Sequence, residues 1–336
     1  MPMPIQHPSA IYMQRALELA RFGEGFVSPN PMVGAVIVSP EGRIIGEGWH
    51  RKFGEPHAEV NAVNSVKEKD QHLIPESTVY VTLEPCSHYG KTPPCSKLLI
   101  EKGFKRVVIG MTDPFIEVSG RGIKMLRDAG IEVIGPFMER ECLMINRRFV
   151  TAHTLKRPYI LLKWAQSADG FIAGKSSRTI LSNPASMVLM HKERSKYDAI
   201  MVGTNTIILD NPSLSNRLWS GRSPLPVLIH SDRIPSESKI HGCNISLSRD
   251  RDLDENMHIL YSDYKITSLM VEGGTALLKS FIDAGLFDEI RIETAPSIIH
   301  DGVAAPSLPQ GITLIDSKTI RENIITRYLK NNSKKM

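Results

Sequence analysis

The first 135 residues show two rhythms of hydrophobic and polar positions. Residues 12–21 space their apolar side chains at intervals of three and four, which is typical of an amphipathic helix. Residues 32–38 form an apolar run rich in β-branched residues, and a Pro-Glu-Gly turn separates them from residues 43–47, so a β-hairpin is predicted here. Helices and strands then alternate, with helices predicted at 58–66, 95–102 and 121–129 and strands at 78–83, 106–111 and 131–134.

The second half repeats this alternation after an interruption. Between residues 146 and 157 the periodicity lapses into a basic stretch, and a strong strand pattern resumes at Tyr159. We therefore expect a domain boundary here, with one domain at residues 1–150 and another at 151–336. Beyond it, strands are predicted at 159–164, 199–203, 226–229, 268–271 and 289–293, and helices at 184–196 and 275–284. Residues 231–256 are polar and stay unassigned.

Strands separated by helices predict an α/β protein with largely parallel, layered sheets. The length of 336 residues exceeds what one hydrophobic core usually supports, and 41% hydrophobic with 23% charged residues is typical of a folded globular protein. No run of about 18 apolar residues occurs and the start lacks a secretion-signal pattern, so we expect a cytoplasmic protein without a membrane partner. Four cysteines are too few for a disulfide scaffold, and a net charge of +5 does not by itself indicate nucleic-acid binding.

Three metal-ligating side chains and one carboxylate stand at the ends of predicted elements. His57 and Glu59 open a predicted helix, Cys86 follows a predicted strand, and Cys95 begins the next helix after two prolines. Zinc favours imidazole and thiolate ligands, and a catalytic zinc site keeps three protein ligands so that water can take the fourth position. We therefore predict a zinc site at His57, Cys86 and Cys95, with Glu59 moving protons between water and a leaving amine. This combination indicates hydrolytic deamination of a heterocycle.

The spacer between the two cysteines differs from the general zinc-deaminase signature. That signature pairs H-x-E with P-C-x-x-C, whereas residues 87–94 separate the cysteines here. The longer loop carries His88 and Lys91 and is predicted to contact a distinct class of substrate. Two other interpretations of the three ligands stay open: unrelated core or surface residues, and a structural zinc with His88 as the fourth ligand. Cys142 and Cys243 have no clustered partners and are assigned no role.

Three longer motifs extend the zinc pattern in the first half: SPNPMVG at residues 28–34, PHAEV at 56–60 and VYVTLEPCSHYGKTPPC at 79–95. They resemble the bifunctional riboflavin-biosynthesis enzymes, in which a pyrimidine deaminase is fused to a 5-amino-6-(5-phosphoribosylamino)uracil reductase. The long cysteine spacer belongs to that family's pattern. The resemblance implies a cytidine-deaminase-like three-layer domain that removes an amine from 2,5-diamino-6-(5-phosphoribosylamino)pyrimidin-4(3H)-one, with zinc on His57, Cys86 and Cys95. It also implies that Glu59 is the acid and base, and that substrate is contacted by Asn30, His50, His88 and Lys91.

The second half resembles the reductase part of the same family through shorter motifs. These are RPY at 157–159, Lys163, SADG at 167–170, DAIMVGTNT at 198–206, DNPSL at 210–214, Arg217 and VEGG at 271–274. The resemblance implies a dihydrofolate-reductase-like domain that uses NADPH to reduce the ribosyl group to a ribityl chain. It implies cofactor contacts by Gln166, Thr206, Asp210, Ser231, Gly274 and Thr275. It implies substrate contacts by Lys163, Arg194, Leu214, Arg217 and Glu272.

General chemistry supports parts of this reductase assignment. The pair Gly273-Gly274 joins a predicted strand to a predicted helix and would expose backbone N–H groups to a cofactor phosphate, although such pairs are also common in simple tight turns. Arginine forks suit a phosphate monoester. Three departures from the family pattern leave open a deaminase with an impaired or repurposed reductase-like domain: TILS at 179–182 where a tryptophan is usual, Gln166 for a small residue, and His230 for an aspartate.

Two alternatives belong to other functional classes. A nucleic-acid base deaminase would use the same zinc chemistry, but it would need a basic groove with stacking aromatic residues, and only 6% of the residues are aromatic. A zinc-stabilised binding protein without catalysis is disfavoured by Glu59 in the first half, while the substitutions near Thr179 and His230 leave it open for the second half. We therefore expect small-molecule phosphoribosylaminopyrimidine substrates, zinc and NADPH as cofactors, no nucleic-acid partner and a homo-oligomeric assembly.

Overall fold

The computed structural model describes residues 7–89, 93–114, 119–174, 179–229, 233–242 and 244–331. The chain divides into two compact units, Met1–Leu155 and Lys156–Met336. The first unit is built on a five-stranded sheet, and the second on an eight-stranded sheet with a separate pair of strands. None of the described helices combines the length and the apolar character that crossing a bilayer requires.

The first unit combines a mixed sheet with helices. Its helices are α1 (Ala10–Arg21), α2 (Ala58–Ser65), α3 (Cys95–Glu101), α4 (Arg121–Asp128), α5 (Glu139–Ile145) and α6 (Arg147–Leu155), with a 3-10 helix at Glu68–Glu76. Its strands are β1 (Gly34–Val38), β2 (Ile44–Trp49), β3 (Thr78–Val81), β4 (Arg106–Ile109) and β5 (Glu132–Ile134). The sheet order is β2-β1-β3-β4-β5, in which β1 is antiparallel to both neighbours and the last three strands are parallel. The predicted hairpin and alternation are confirmed.

Strand β1 shows why the first unit has three layers. Ala35 and Ile37 enter a core shared with α2, α3 and α4, whereas Val36 and Val38 enter a second core shared with α1, α5 and α6. Side chains alternate between the two faces of a strand, so a strand that is apolar throughout needs cover on both faces. The sheet therefore lies between two helical layers.

Helix α6 corrects one expectation from the sequence. The basic segment 146–157 shows no helical periodicity, yet Arg147–Leu155 forms a helix that belongs to the first unit. Phe149 and Val150 pack against the sheet from this helix. Because its short apolar stripe is interrupted by arginine, threonine and histidine residues, the pattern along the chain does not reveal it.

The second unit places helices on both sides of a long sheet. Its strands are β6 (Tyr159–Gln166), β7 (Phe171–Gly174), β8 (Ala199–Met201), β9 (Leu225–Ile229), β10 (Ile245–Leu247), β11 (Ser268–Glu272), β12 (Glu289–Thr294), β13 (Gly302–Ala304), β14 (Ile312–Ile320) and β15 (Asn323–Lys330). Its helices are α7 (Pro184–Arg194), α8 (Thr204–Asp210), α9 (Leu253–Ser262) and α10 (Thr275–Asp283). The main sheet has the order β10-β9-β8-β11-β6-β12-β15-β14, parallel from β10 to β12 and antiparallel at β15 and β14.

The central strand β6 is buried on both faces. Ile160, Leu162 and Trp164 enter one core with α9 and α10, while Tyr159 and Leu161 enter another with α7. The α/β class predicted from the sequence is therefore confirmed in this unit too. Because β6, β8 and β11 are parallel, their carboxyl ends meet at one edge of the sheet, which is where ligands bind in open α/β sheets.

Candidate active sites

The three predicted metal ligands of the first unit lie together. His57 is the N-cap residue of α2, Cys86 lies in the loop after β3, and Cys95 is the first residue of α3. The Sγ atoms of Cys86 and Cys95 lie 3.6 and 3.4 Å from Nδ1 of His57. The potential ligand atoms of the three residues all lie within 4.8 Å of one another. Three separate chain segments thus deliver one nitrogen and two sulfur donors to a single point.

Hydrogen bonds prepare the two sulfur atoms unequally. The backbone N–H of Cys95 donates to Sγ of Cys86 over 3.2 Å. The side-chain hydrogen bond to Cys95, followed by that to His57, lowers the pKa of Cys86, which favours its thiolate. The hydrogen bond to Cys86 and burial raise the pKa of Cys95. A divalent cation between the sulfur atoms would offset the repulsion between two thiolates.

Glu59 lies in the first turn of α2, two residues after His57, and is only 3% exposed. Burial of the carboxyl group, and then the nearby charge of Cys86, raise the pKa of Glu59 to about 7. A cation on the three ligands would act in the opposite direction and favour the carboxylate. The protonation of Glu59 thus responds both to the charge of Cys86 and to a cation on the three ligands. Such a carboxyl group is suited to accept and return a proton near neutral pH.

Asn30 and His50 form a fixed pair beside the ligands. Nδ1 of His50 donates to the carbonyl oxygen of Pro56 over 3.2 Å, since that oxygen can only accept, and Nε2 then accepts from the amide of Asn30 over 3.3 Å. The rings of His50 and His57 are 5.4 Å apart. Burial lowers the pKa of His50, so its imidazole is neutral at pH 7 and presents one defined tautomer.

The described residues of the loop between the cysteines, 87–89 and 93–94, add no further metal ligand to the site. His88 is exposed and is not part of the group of converging ligand atoms found in the described residues. Three ligands is the count expected for a catalytic zinc, whereas a structural zinc normally takes four. Lys91 lies outside the described residues.

A charged cluster occupies the strand ends of the second unit. Lys163 of β6 and Glu272 of β11 are register partners on adjacent parallel strands. Nε and Nη2 of Arg194, at the end of α7, each donate to a carboxylate oxygen of Glu272 over 2.9 Å. Burial would raise the pKa of Glu272, but Arg194 and Lys163 outweigh that effect and hold it at about 2. Burial lowers the pKa of Lys163.

The segment after α8 approaches the same cluster. Nη1 of Arg194 donates to the carbonyl oxygen of Ser215 over 2.9 Å. Leu214 is buried in the core on the α7 side and has a φ of +51°. Arg217 is exposed, and its Nη1 donates to Oγ of Ser213 over 3.1 Å. The structure therefore brings Arg194, Glu272 and the segment that carries Leu214 and Arg217 into one region.

Glycines without side chains lie at the neighbouring strand ends, where α8 and α10 begin. Gly203 is the N-cap residue of α8, and Gly274 is the N-cap residue of α10. A Cβ atom added to Gly273 would lie 3.4 Å from the backbone nitrogen of Gly203 and 3.6 Å from Oγ1 of Thr206, and one added to Gly274 would meet nothing closer than 4.0 Å. Helix starts without side-chain cover present backbone N–H groups to an anionic group such as a phosphate.

Comparison with known proteins identifies both units. Residues 8–111 match the family model "Cytidine and deoxycytidylate deaminase zinc-binding region", and residues 158–326 match "RibD C-terminal domain". The riboflavin biosynthesis protein RibD of Aquifex aeolicus is 38% identical over 325 residues, which cover 88% of this chain and 89% of that relative. The RibD protein of Escherichia coli is 35% identical over 327 residues, which cover 86% of this chain and 88% of that relative.

A solved structure gives the same result. The diaminohydroxyphosphoribosylaminopyrimidine deaminase/5-amino-6-(5-phosphoribosylamino)uracil reductase of Thermotoga maritima is 34% identical, with a TM-score of 0.85 over 95% of this chain and 98% of that one. The chain belongs to the RibD family. It is therefore a bifunctional enzyme of riboflavin biosynthesis with a deaminase domain and a reductase domain, as predicted from the sequence. The cytidine-deaminase-like and dihydrofolate-reductase-like folds are likewise confirmed.

The two cofactors of RibD proteins, zinc and NADPH, fit the residues present. One imidazole and two thiols at mutual distances below 4.8 Å form a donor set suited to zinc. The uncovered glycines at the start of α10 leave room for a phosphate of NADPH against the backbone. The metal site at His57, Cys86 and Cys95 therefore belongs to the deaminase half of RibD, and the site at the strand ends of the second unit belongs to the reductase half.

The remaining predicted cofactor residues are spread around the reductase site. Thr206 has its hydroxyl close to all three glycines, and Asp210 is exposed at the end of the same helix. Thr275 donates its hydroxyl to the carbonyl oxygen of Ala304. Gln166 ends β6, and its Oε1 accepts from the indole Nε1 of Trp164 over 2.8 Å. Ser231 lies outside the described residues, as does His230.

One buried residue of the deaminase half was not singled out by sequence reasoning. Glu84 is 5% exposed and precedes Pro85-Cys86. Its signal in the sequence is a charged residue at the end of an apolar strand, directly before a metal ligand. Its hydrogen-bond partners lie at the start of α4, more than 30 residues further along the chain, so only the tertiary structure shows them.

Proposed function

We propose that this chain carries out two consecutive reactions. The first is zinc-dependent hydrolytic deamination of 2,5-diamino-6-(5-phosphoribosylamino)pyrimidin-4(3H)-one by the first unit. The second is NADPH-dependent reduction of the ribosyl group of 5-amino-6-(5-phosphoribosylamino)uracil to a ribityl chain by the second unit. The observation that carries the proposal is the convergence of His57, Cys86 and Cys95 beside buried Glu59, in a chain whose second half is a RibD reductase domain. The activities named for the Thermotoga maritima protein support the same substrates.

In the deaminase half, His57, Cys86 and Cys95 would hold the zinc and leave one position for water. When bound, zinc supplies Lewis-acid activation of water. Glu59 accepts a proton from water while the water oxygen adds to the ring carbon that bears the 2-amino group. Glu59 then returns the proton to the amine, which leaves as ammonia. Burial of Glu59 keeps competing solvent away from this proton.

The pair formed by Asn30 and His50 would orient the pyrimidine. Their mutual hydrogen bond and that of His50 to Pro56 fix both side chains before substrate arrives. Because both ring nitrogens of His50 are engaged in these hydrogen bonds, the imidazole would hold the amide of Asn30 in place for a polar heterocycle, which lowers the cost of reorganisation. His88 and Lys91 remain proposed contacts to the substrate, since they belong to the long spacer that separates the ligands.

In the reductase half, NADPH supplies the hydride, and the protein orients it. The contacts proposed for the cofactor are those of Gln166, Thr206, Asp210, Ser231, Gly274 and Thr275. The contacts proposed for the phosphorylated sugar are those of Lys163, Arg194, Leu214, Arg217 and Glu272. Because Arg194 directs two donors at Glu272 and a third at Ser215, the exposed guanidinium of Arg217 is the better candidate for the phosphate, and Arg194 would fix the carboxylate.

Incubation of the purified chain with the diaminopyrimidine substrate, with and without NADPH, tests this proposal. We expect ammonia release without NADPH, and a further gain of two hydrogens in the product mass when NADPH is added. Ammonia release without NADPH oxidation would support the alternative of a deaminase with a repurposed second half. Deamination of a single-stranded oligonucleotide or a transfer RNA, with none of the diaminopyrimidine, would refute the substrate assignment. A homo-oligomeric state and a cytoplasmic location stay predictions.

A further inference from the structure

Glu84 is a buried carboxylate that no step of the proposed deamination uses. Its Oε2 accepts from the backbone N–H groups of Asp113 and Gly120 over 3.3 and 2.9 Å. Its Oε1 accepts from those of Gly122 and Ile123 over 3.0 and 3.3 Å. Gly120 is the N-cap residue of α4, so the carboxylate satisfies N–H groups at the start of this helix, where a negative charge is favoured. One side chain thereby ties α4 to the end of the β3 segment.

The contact between α4 and this segment is unusually close. A Cβ atom added to Gly122 would lie 2.1 Å from the carbonyl oxygen of Pro85 and 3.3 Å from Oε1 of Glu84. Only glycine permits that approach, because a methyl group there would overlap the backbone. The first turn of α4 therefore rests directly on the peptide unit that leads into Cys86.

Helix α3 holds the same cysteine from another direction. The backbone N–H and the hydroxyl of Ser96 both donate to the carbonyl oxygen of Cys86, over 3.2 and 3.0 Å. Ser96 is fully buried. The N–H of Cys95 reaches the sulfur of Cys86 as well. The carbonyl and the sulfur of Cys86 are therefore both anchored to the start of α3, while Glu84, two residues before it, is anchored to the start of α4.

We propose that Glu84 and Ser96 are positioning residues of the zinc centre, which hold Cys86 between α4 and α3 so that its sulfur stays close to His57 and Cys95. This inference rests on the proposed role of Cys86 as a zinc ligand. Groups that orient a ligand from behind change metal affinity and activity without touching the metal, typically by about 10- to 100-fold.

The variant Glu84→Gln tests the inference with little change in shape. An amide keeps one acceptor oxygen but turns an NH₂ group toward two backbone N–H donors. We expect zinc affinity, measured by competition with a chromophoric chelator, to fall by about 10- to 100-fold. In the cobalt-substituted protein, we expect the sulfur-to-cobalt charge-transfer band to shift or weaken. Ser96→Ala keeps the backbone donor and loses the hydroxyl, so a smaller loss of up to about 10-fold is expected.

Asp70→Asn is the matched control. Asp70 lies in the same unit, is 6% exposed against 5% for Glu84, and is paired with Arg43. We expect this variant to lower the thermal unfolding midpoint while zinc affinity and the cobalt spectrum stay unchanged. An equal loss of zinc affinity in Asp70→Asn and Glu84→Gln would reduce the role of Glu84 to general stability and overturn the inference.

The outcomes separate this inference from the proposed function. Wild-type zinc affinity and an unchanged cobalt spectrum in Glu84→Gln would overturn the inference, while ammonia release by the wild type would still support the deaminase. Absence of zinc binding in the wild type would instead refute the proposed function. If Glu84→Gln does not fold, Ser96→Ala decides: unchanged zinc affinity in that variant overturns the positioning role.

Discussion

Arg194 and Glu272 form a bidentate ion pair in which each of two guanidinium nitrogens lies 2.9 Å from a different carboxylate oxygen. The pair joins the end of α7 to the end of β11, and both side chains are largely buried. A buried pair of this geometry fixes the direction of the carboxylate as well as its charge. If Glu272 contacts the sugar, as proposed for the reductase half, this pair sets the orientation of its carboxylate.

Arg194→Lys is expected to impair the reductase. An ammonium group cannot make two parallel hydrogen bonds to one carboxylate, so Glu272 would lose its fixed orientation. We expect kcat/KM for reduction of the aminouracil substrate to fall by about 10- to 100-fold, which corresponds to the loss of one charge-assisted hydrogen bond of about 1.5–3 kcal/mol. Ammonia release by the other half should not change. Arg222→Lys, at the exposed arginine that pairs with Asp198, serves as the control and should leave reduction unaffected.

Glu272 is also expected to make the free energy of unfolding depend on pH in the acidic range. The pKa of Glu272 is held at about 2, below the usual 4.5 of a glutamate, so its contribution to the free energy of unfolding is fully present above about pH 4.5 and is lost as pH falls toward 2. At neutral pH, Glu272→Gln would leave Arg194 and Lys163 buried without their counter-charge and should cost about 3–5 kcal/mol.

Unfolding of the wild type and of Glu272→Gln, followed from pH 6 to pH 3, measures this dependence. The stability difference between them should shrink as pH decreases. A difference that stays constant over this range would contradict the assigned pKa. Glu322→Gln, at an exposed carboxylate, is the control and should change the unfolding free energy by no more than about 0.5 kcal/mol.

Glu59→Gln separates proton transfer from metal binding. The amide keeps the size of the side chain but cannot accept a proton, so we expect ammonia release to slow by about 10²- to 10⁴-fold. Bound zinc, measured by atomic absorption, should stay at the wild-type level because Glu59 is not among the three ligands. Reduction of the separately supplied aminouracil should continue. Equal rates of ammonia release by variant and wild type would disprove the acid and base role.

Alanine substitutions at Gly273 and Gly274 distinguish backbone strain from loss of space for the cofactor. Gly273 has a φ of +132°, so Gly273→Ala should destabilise the second unit by about 1–3 kcal/mol. Gly274 has a φ of −60° and room for a Cβ atom, so Gly274→Ala should fold with wild-type stability. We expect both variants to raise the KM for NADPH by about 10- to 100-fold, since a methyl group would displace the phosphate from the backbone. An unchanged KM in Gly274→Ala would remove this backbone from the cofactor site.

The zinc ligands illustrate what local pattern can predict. His57 and Cys95 stand at helix starts marked by prolines, and Cys86 follows an apolar strand, so residue type and element boundary indicate the chemistry together. The hairpin and the first five strands were predictable for the same reason. The β14 and β15 hairpin was not predicted, because most side chains of β14 face water and the place of β15 beside β12 depends on backbone hydrogen bonds.

The sequence by itself determined the α/β class and the residue types of the metal site, because both depend on short-range spacing, while the two-part organisation of the function followed from its resemblance to a known family. Only the tertiary structure decided that Glu84 holds the start of α4, that Arg194 points at Glu272, and that His50 is locked by Asn30 and Pro56. The physical reason is that these contacts join residues from separate elements. Their distances are set by how helices pack on the sheets, and no periodicity along the chain records that packing.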